Sequence, residues 1–327
     1  MTASRQIRLA RRPQGMVVEG DFAVATVDTP DAADGQVQLQ ALLVSVDPYM
    51  RPRLDADQPL DAPMLGSGIA RVVQSRHPDF REGELVRHFN GMQERFVSDG
   101  RGLQKLVADP DLPLSVYMHA LGGTGITAYG GLLETGALKD GEQVFVSTAG
   151  GAVGSVVAQI AKIKGCYVAG STGAEDKAAW LRDVAGIDAV INYREQPFAQ
   201  AVREAMPKGI DVYFENVGGE QLDAVLPRMN VRGRIAVCGM ISTYNGDRVG
   251  VKNLSSMIYS RVRMEGFVAS DFPHLQAQFQ SDMTGWLKSG QVKYQETIMD
   301  GFERAPEALV GLFSGKNAGK MLVRAAE

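Results

Sequence analysis

The amino-acid sequence predicts an α/β protein in which a small β-rich domain is followed by a doubly wound domain built on a parallel sheet. Residues 1 to about 115 contain short β-rich runs separated by Gly and Pro, with almost no helical periodicity. After Pro113, strand-like runs alternate with amphipathic helix-like segments, an order typical of a parallel sheet covered by helices. The length of 327 residues is sufficient for two such domains.

The first domain is predicted to be an irregular, barrel-like β-structure, because its strands are short and divided by turn residues. The predicted strands are Met16–Val27, Val37–Val46, Ile69–Gln74, Glu84–His88 and Glu94–Val97.

The second domain is predicted to alternate six strands with four helices. The predicted strands are Gln143–Val146, Tyr167–Ala169, Ala189–Asn192, Val212–Glu215, Arg234–Cys238 and Met264–Val268. The predicted helices are Gly154–Lys164, Glu175–Ala185, Phe198–Met206 and Gly219–Met229.

A doubly wound domain is complete after about six strands. The helix predicted at Ala305–Phe313 and the strand at Met321–Arg324 are therefore expected to return to the first domain. The domain boundaries that follow are 1–115 for the first domain, 116–285 for the doubly wound domain and 286–327 for the returning segment.

Composition and charge exclude several classes of function. The net charge is −4 and no long run of Lys or Arg occurs, so nucleic acid is not expected as a partner. No stretch approaches the roughly 18 uninterrupted apolar residues of a membrane span. The Arg-rich N-terminus is followed by no apolar segment, so no targeting signal is predicted and a cytoplasmic location is expected. The only cysteines, Cys166 and Cys238, lack zinc-type spacing and are interpreted as buried thiols.

The nine residues STAGGAVGS, Ser147 to Ser155, predict a dinucleotide-binding loop. They lie between a predicted strand and a predicted helix, and Ala149, Gly151 and Gly154 occupy the three positions of the G-x-G-x-x-G pattern. Backbone N–H groups and the positive end of a helix dipole are available there to a pyrophosphate.

NADP(H) is predicted in preference to NAD(H). An NAD enzyme usually places an acidic residue at the end of the second strand, but this strand ends in Ser171 and Thr172. Lys177 opens the next helix, within reach of a 2′-phosphate. The neighbouring Glu175 and Asp176 leave open the alternative that Lys177 is only a solvated surface residue.

Several motifs along the chain together carry a family resemblance. They are Val46-Asp47-Pro48-Tyr49-Met50-Arg51, Gly125-Ile126-Thr127-Ala128-Tyr129, the Gly151 loop, Tyr213-Phe214-Glu215-Asn216-Val217-Gly218-Gly219, the segment from Cys238 to Asn245, the segment from Tyr259 to Phe267 and Gly315-Lys316-Asn317-Ala318-Gly319-Lys320. In this order they resemble the zinc-independent medium-chain dehydrogenase/reductases. Within that family they are similar to the NADP-dependent alkenal/one double-bond reductase group, which includes the leukotriene B4 12-hydroxydehydrogenase/prostaglandin reductases, the plant double-bond reductases and bacterial curcumin-reductase-like proteins.

The resemblance implies a GroES-like catalytic domain, a Rossmann domain, NADPH bound in the cleft between them, and a homodimer whose Rossmann sheets join edge to edge. It implies that the cofactor-binding residues are Gly151, Ala152, Val153, Gly154, Lys177, Tyr193, Asn216, Cys238, Gly239, Ile241, Ser242, Tyr244, Phe267, Val268, Ala269 and Asn317. Taken without the family, Tyr193 is better interpreted as a core residue at a strand end and Asn317 as a turn former.

No catalytic zinc is expected. Zinc-containing relatives use Cys, His and Glu ligands in the first domain, but no cysteine precedes Cys166, and Leu65-Gly66-Ser67-Gly68 stands where those relatives carry a His-Glu pair. The four histidines, which lack ligand spacing, are interpreted as structural or surface residues: His77, His88, His119 and His274.

Without a metal, reduction of a conjugated C=C bond is better supported than oxidation of an alcohol. Hydride addition to an enone or enal leaves charge on the carbonyl oxygen, and one hydrogen-bond donor stabilises it. We expect Tyr244 to polarise that carbonyl, directly or through the nicotinamide ribose hydroxyl, Tyr49 to orient the substrate, and water to protonate the α-carbon. The alternatives are packing roles for both tyrosines, a quinone oxidoreductase of the same superfamily, and a non-catalytic NADPH-binding protein.

Overall fold

The protein forms two compact units. In the computed structural model, which describes residues 1–246 and 250–326, the β-rich unit comprises Met1–Met118, Thr297–Asn317 and the residues from Met321 onward. The parallel-sheet unit comprises His119–Glu296 and Ala318–Lys320. No helix within the described ranges is long and apolar enough to cross a membrane.

The strands and helices of the chain are numbered in order along the sequence. The strands are β1 Thr2–Leu9, β2 Phe22–Thr29, β3 Val37–Val46, β4 Gly68–Ser75, β5 Leu85–His88, β6 Arg95–Ser98, β7 Gln104–Lys105, β8 Gln143–Val146, β9 Tyr167–Thr172, β10 Ala189–Asn192, β11 Ile210–Glu215, β12 Met229–Val237, β13 Arg263–Gly266, β14 Glu296–Asp300 and β15 Lys320–Arg324. The α-helices are α1 Met50–Arg53, α2 Gly123–Gly130, α3 Ala152–Ile163, α4 Glu175–Asp183, α5 Phe198–Ala205, α6 Gly219–Val225, α7 Ser256–Ser260, α8 Gln276–Lys288 and α9 Ala305–Phe313.

Strand β3 is the centre of the β-rich unit. It belongs to a seven-stranded sheet of order β14-β15-β3-β4-β5-β7, in which β6 also pairs with β3. Register shifts between β3 and β4 bend the sheet, as expected for a barrel-like structure. Val44 and Val46 of β3 pack in one core with Leu9 of β1 and Leu309 of α9. Strand β3 leads directly into the turn that carries Tyr49.

Two details of the N-terminal region differ from the sequence prediction. Strand β1 was not predicted; it pairs antiparallel with β2, from Thr2 opposite Thr29 to Leu9 opposite Phe22. The predicted strand Met16–Val27 is wrong in its first part, because Asp21 closes a short turn there. The Asp21 carboxylate accepts hydrogen bonds from the Val18 N–H at 3.0 Å and from Arg11 Nε at 2.8 Å.

The sheet of the parallel-sheet unit has the order β10-β9-β8-β11-β12-β13, and every pair is parallel. From β8 the chain adds β9 and β10 on one side of the sheet. From β11 it adds β12 and β13 on the other side. This reversal defines a switch point between β8 and β11, and it is the doubly wound topology predicted from the sequence. The predicted α/β fold class is confirmed.

Three helices of the parallel-sheet unit, α2, α7 and α8, were not predicted. Helix α2 and the π-helical turn Gly131–Thr135 that follows it are rich in glycine, which weakens a helical sequence signal. The glycines are needed for packing. A Cβ at Gly130 would lie 2.3 Å from the ring of Phe272, and a Cβ at Gly131 would lie 2.2 Å from the ring of Phe267.

Candidate active site

The loop after β8 has the backbone that a bound pyrophosphate requires. Gly151 is the N-cap of α3, and its N–H donates to the carbonyl oxygen of Thr148 at 2.9 Å. A Cβ at Gly154 would lie 2.3 Å from the Thr148 oxygen, so only glycine lets the helix approach the turn this closely. The first residues of α3 thus present N–H groups at an open helix end, to which phosphate oxygens can bind.

Ala149 departs from the glycine pattern without distorting the loop. Its side chain is fully buried and lies against Gly170 of β9. A Cβ at Gly170 would lie 2.4 Å from the Cβ of Ala149. The missing glycine of the loop is therefore compensated by a glycine on the neighbouring strand.

A buried carboxylate holds the two strand ends at the switch point. Glu215, the last residue of β11, is fully buried. Its Oε1 accepts from Ser147 Oγ at 2.8 Å and from the Val217 N–H at 2.5 Å. Its Oε2 accepts from the Tyr213 hydroxyl at 2.6 Å. Burial raises the pKa of Glu215, and these hydrogen bonds oppose that increase.

Asn216 is positioned by the same network. Its backbone N–H donates to Ser147 Oγ at 2.8 Å, and its side-chain Nδ2 donates to the Ser147 carbonyl at 2.7 Å. The sequence motif included Glu215, but neither it nor Ser147 was predicted as a site residue. The available signal was a polar residue at the end of each of two neighbouring apolar strands.

The segment after β12 carries Tyr244 and is attached to the segment after β11. The Ile241 N–H donates to the Asn216 carbonyl at 3.1 Å, and the Ser242 N–H to the Val217 carbonyl at 3.0 Å. The Tyr244 hydroxyl oxygen accepts from the Met240 N–H at 3.3 Å. Burial raises the pKa of Tyr244, so the phenol keeps its proton at neutral pH and remains available as a donor.

Lys177 lies in the first turn of α4, close to the glycine loop. A Cβ at Gly150 would lie 3.0 Å from the Lys177 Cβ. Burial lowers the pKa of Lys177, Asp176 opposes that change and Arg194 adds to it. Glu175 is hydrogen-bonded to Arg182, so its carboxylate is neutralised.

Tyr193 and Arg194 follow β10 directly. Tyr193 is partly exposed, its N–H donates to the Thr172 carbonyl at 3.1 Å, and a Cβ at Gly173 would lie 2.4 Å from its hydroxyl oxygen. The positive charge of Arg194 lowers the pKa of Lys177, so Arg194 is a second cation near Lys177 and Tyr193. Arg194 was not predicted from the sequence, since its only signal was its position next to Tyr193.

The three predicted cofactor residues after β13, Phe267, Val268 and Ala269, differ from one another in their surroundings. The ring of Phe267 packs edge-on against Phe214, with ring centroids 5.8 Å apart, and also contacts Phe272 at 5.6 Å. Val268 is exposed, and its N–H donates to the Asp271 carboxylate at 2.9 Å. Ala269 opens a short 3-10 turn.

The loop before β15 also contacts the glycine loop. Gly319 forms a bridge with Gly151, and its N–H donates to the Gly150 carbonyl at 3.4 Å. Asn317, predicted to contact the cofactor, belongs to the β-rich unit.

Nearly all the predicted cofactor residues of the parallel-sheet unit share one edge of its sheet. They follow β8, β10, β11, β12 and β13, and parallel strands bring their carboxyl ends to the same side. They are Gly151, Ala152, Val153, Gly154, Tyr193, Asn216, Cys238, Gly239, Ile241, Ser242, Tyr244, Phe267, Val268 and Ala269.

Tyr49 lines a cavity of about 730 Å³ in the β-rich unit. It follows Pro48 and is the N-cap of α1. The other residues that line the cavity include Pro59, Leu65 and Phe89. Burial raises the pKa of Tyr49 to about 12, and the neighbouring Asp47 contributes to the increase. Tyr49 is therefore a neutral phenol in a cavity that is apolar on one part of its lining and carries the charged Arg53 and Asp57 on another.

The histidines and cysteines have structural environments. Within the described ranges, no group of three or more His, Cys, Asp or Glu residues could hold a metal ion. Burial raises the pKa of the Cys166 thiol, and it raises that of Cys238 to about 12. His119 is fully buried, and its Nε2 lies 3.0 Å from the carbonyl oxygen of Ala152, the first residue of α3. The exposed His274 contacts Glu134 at 2.7 Å.

Comparison with known proteins identifies the family. Residues 5–106 match the family described as the N-terminal domain of oxidoreductase, and residues 152–289 match the one described as zinc-binding dehydrogenase. The chain is 40% identical over 338 residues to the NADPH-dependent curcumin reductase of Escherichia coli (strain K12), covering 99% of this chain and 97% of that protein. It is 42% identical over 335 residues to the NADP(+)-dependent 2-alkenal reductase of Nicotiana tabacum, covering 98% and 97%.

A solved structure gives the same result. CurA from Vibrio vulnificus, in complex with NADPH, has a TM-score of 0.93 and 41% identity over 99% of both chains. The resemblance stated from the sequence motifs is confirmed, and the chain belongs to the NADP-dependent alkenal and double-bond reductase group of the zinc-independent medium-chain dehydrogenase/reductases.

Proposed function

We propose that this protein reduces the C=C bond of α,β-unsaturated ketones or aldehydes with NADPH. The observation that carries the proposal is the Tyr244 hydroxyl. It accepts from the Met240 N–H at 3.3 Å and keeps its own proton, on the same sheet edge as the glycine loop. The names of the relatives, a curcumin reductase and a 2-alkenal reductase, support the same reaction class.

The residues on this edge suit a dinucleotide phosphate. The N–H groups from Ala152 to Gly154, at the start of α3, would hold the pyrophosphate, and Gly151, whose own N–H donates to Thr148, would lie beside it as the N-cap. Lys177 and Tyr193, with Arg194 beside them, would hold the 2′-phosphate, since two cations there meet a phosphate of about −2 charge. When bound, NADPH supplies the hydride that adds to the β-carbon of the substrate.

Tyr244 acts as the donor to the substrate carbonyl, either directly or through a ribose hydroxyl. As negative charge grows on the carbonyl oxygen, a placed phenol O–H stabilises the enolate in the manner of an oxyanion hole. Tyr49 orients the substrate with its ring and hydroxyl, and the apolar walls beside it accept the hydrocarbon part. Water protonates the α-carbon.

The test is the loss of NADPH absorbance with a medium-chain 2-alkenal, curcumin and a quinone, each repeated with NADH. We expect rapid NADPH oxidation by the enal and the enone, little with NADH, and a product reduced at C=C with its carbonyl intact. Turnover of the quinone alone would make the protein a quinone oxidoreductase. Binding of NADPH without turnover of any acceptor would support a non-catalytic role.

We further propose a homodimer formed through β13. This strand is the edge of the six-stranded sheet, and all four of its residues are exposed. Met264 on the strand and the nearby Ile258 and Tyr259 add exposed apolar surface. An open strand edge of this kind can pair with a second copy.

Met264→Lys should lower the mass measured by sedimentation to that of one chain. The control Met16→Lys changes an exposed methionine of the β-rich unit and should leave the mass unchanged. A wild-type protein that sediments as a monomer would refute the proposal.

A cytoplasmic location is proposed as well, because both cysteines are free thiols, as is usual in a reducing compartment. Immunoblotting of cell fractions tests it, and recovery of the protein outside the cytoplasmic fraction would exclude it.

A further inference from the structure

His119 and Glu296 form a largely buried pair in the parallel-sheet unit. The His119 side chain is fully buried, and the Glu296 side chain is 9% exposed. The His119 Nδ1 atom lies 3.6 Å from Glu296 Oε1, which is the distance of an ion pair and too long for a direct hydrogen bond. Each of these two atoms is buried and has no hydrogen-bond partner among residues 1–246 and 250–326.

The other ring nitrogen of His119 contacts the helix that begins in the glycine loop. His119 Nε2 lies 3.0 Å from the carbonyl oxygen of Ala152, the first residue of α3. A carbonyl oxygen can only accept a hydrogen bond, so this contact assigns a proton to Nε2. In a neutral ring Nδ1 is then an acceptor, and it faces a second acceptor, the carboxylate of Glu296.

One further proton removes this conflict. Two buried acceptors without a donor are costly, and a proton between His119 Nδ1 and Glu296 Oε1 supplies the missing donor. An imidazolium beside a carboxylate has no net charge, and neither has a neutral imidazole beside a carboxyl group. The geometry therefore favours a pair that shares one proton and is neutral as a whole.

The segment before Glu296 is also attached to α3. The Lys293 N–H donates to Gln159 Oε1, and the Lys293 carbonyl accepts from Gln159 Nε2, both at 2.8 Å. Gln159 lies about two turns after Ala152. Helix α3 is thus held at two points, by His119 at its first residue and by Lys293 further along.

Three other titratable side chains belong to the surroundings of the pair. The Tyr294 ring packs edge-on against the His119 ring, with centroids 5.7 Å apart, and burial raises the pKa of Tyr294, so the phenol is neutral. Lys293 is exposed, and the buried Lys320 lies on β15, next to β14. In the described part of the chain no second carboxylate forms an ion pair with His119, so the shared proton lies toward Glu296.

We propose that His119 positions the start of α3 for the pyrophosphate and that Glu296 holds the His119 ring through the shared proton. This rests on the proposed binding of the pyrophosphate by the N–H groups from Ala152 to Gly154. Because the imidazole fixes the Ala152 carbonyl before the cofactor arrives, binding does not have to order this helix end. The shared proton also neutralises a carboxylate that would otherwise repel the pyrophosphate.

The shared proton is tested in the protein without cofactor. Nitrogen-15 NMR of the imidazole rings at pH 6 detects which nitrogens carry protons, and His119→Gln identifies the His119 signals by their loss. We expect a proton on Nε2 and a second, hydrogen-bonded proton at Nδ1. In Glu296→Gln the side-chain amide can donate to Nδ1, so the ring should carry a proton on Nε2 alone. A wild-type ring without a proton on Nε2, or a spectrum that Glu296→Gln leaves unchanged, would overturn the proposal.

The positioning role is tested by calorimetric titration with NADP⁺ and with adenosine 2′-monophosphate, which has the 2′-phosphate but no pyrophosphate. His119→Leu removes the donor to the Ala152 carbonyl and should weaken NADP⁺ binding about ten-fold, with the affinity for adenosine 2′-monophosphate within two-fold of wild type. His119→Gln keeps an N–H donor and should restore NADP⁺ affinity to within about three-fold of wild type. His274→Leu, which changes an exposed histidine, is the matched control and should bind both ligands normally.

Glu296→Leu provides a second variant, because it removes the partner of the ring and leaves the imidazole in place. It should also weaken NADP⁺ binding and spare adenosine 2′-monophosphate. Equal losses for the two ligands would mean that the substitutions disturb the whole unit, and unchanged NADP⁺ affinity in both leucine variants would show that the pair does not position the loop; either result would overturn the proposal. Failure of the wild type to bind NADP⁺ would instead refute the proposed function.

Discussion

The Ser147 hydroxyl donates to the Glu215 carboxylate at 2.8 Å and thereby joins the ends of β8 and β11 at the switch point of the sheet. Both residues are fully buried. The same hydroxyl oxygen accepts from the Asn216 N–H, so one serine fixes the turn that follows each strand. The position of the glycine loop relative to Asn216 depends on this contact.

Ser147→Ala is expected to lower the free energy of unfolding by about 1–3 kcal/mol, because a buried carboxylate loses a donor and a buried N–H loses its acceptor. Ser155→Ala is the matched control: Ser155 is also buried, but its hydroxyl has no hydrogen-bond partner among residues 1–246 and 250–326. Urea unfolding should show no loss for Ser155→Ala. Equal midpoints for the two variants would show that the Ser147 network does not stabilise the protein.

Tyr244→Phe is expected to reduce kcat for an enone about 100-fold, the usual effect of removing one donor from a developing oxyanion. Affinity for NADPH and the melting temperature should change little. Tyr167→Phe removes a phenol hydroxyl that donates to the Ala205 carbonyl at 3.0 Å, outside the predicted site, and should leave kcat unchanged. A normal kcat for Tyr244→Phe would exclude Tyr244 from the reaction.

Lys177→Ala is expected to raise the KM for NADPH about 10-fold or more, since a charge-assisted hydrogen bond to the 2′-phosphate is lost. The KM for NADH should not change, because NADH lacks that phosphate. Lys208→Ala, on an exposed lysine of the same unit, provides the control. Parallel increases for both cofactors would mean that Lys177 supports the loop and does not select the cofactor.

Acid should destabilise the protein through His88. Burial lowers the pKa of His88 to about 4, against roughly 6.5 in an unfolded chain. The unfolded state alone binds this proton between those two values, so the contribution of His88 to stability is complete above pH 6.5. It falls by up to about 3 kcal/mol as the pH decreases to about 4.

Urea unfolding of wild type and His88→Gln at pH 7 and pH 5 measures this effect. The substitution should remove part of the pH dependence in that range. His274→Gln, which changes an exposed histidine, should retain it. If His88→Gln has the full wild-type slope, other groups are responsible for the acid sensitivity.

Gly130→Ala is expected to lower the free energy of unfolding by about 1–3 kcal/mol, because the new methyl group would overlap the ring of Phe272. A Cβ at Gly285, inside α8, would meet no atom within 4 Å. Gly285→Ala should therefore stabilise the protein by up to about 1 kcal/mol. Thermal unfolding of both variants would show opposite shifts, and a stabilised Gly130→Ala would contradict the packing described for α2.

Predictions from the sequence were accurate where short-range residue patterns determine the structure. The alternation of strands and helices after Pro113 predicted the α/β fold class, and the strands Val37–Val46, Gln143–Val146 and Ala189–Asn192 begin and end where the structure has them. These strands are apolar and bounded by turn residues, so short-range signals were sufficient.

Features that depend on distant contacts were not predicted. Strand β1 pairs with β2. Helix α2 and the π-helical turn after it form although their glycines disfavour a helix, and Phe272 and Phe267 pack against Gly130 and Gly131. Glu215 and Arg194 gain their place in the site from neighbours that only folding brings near. The local signals, a polar strand end for Glu215 and a position next to Tyr193 for Arg194, do not by themselves identify a site residue.

The two thiols, Cys166, which is buried, and Cys238, which is partly buried rather than fully buried as predicted, have a consequence for an enzyme that binds enones. An α,β-unsaturated carbonyl compound alkylates cysteine by conjugate addition, and the attacking species is the thiolate. Burial raises the pKa of both Cys166 and Cys238, so at neutral pH neither is ionised. Both thiols are thus expected to react slowly with the enones that the protein is proposed to reduce.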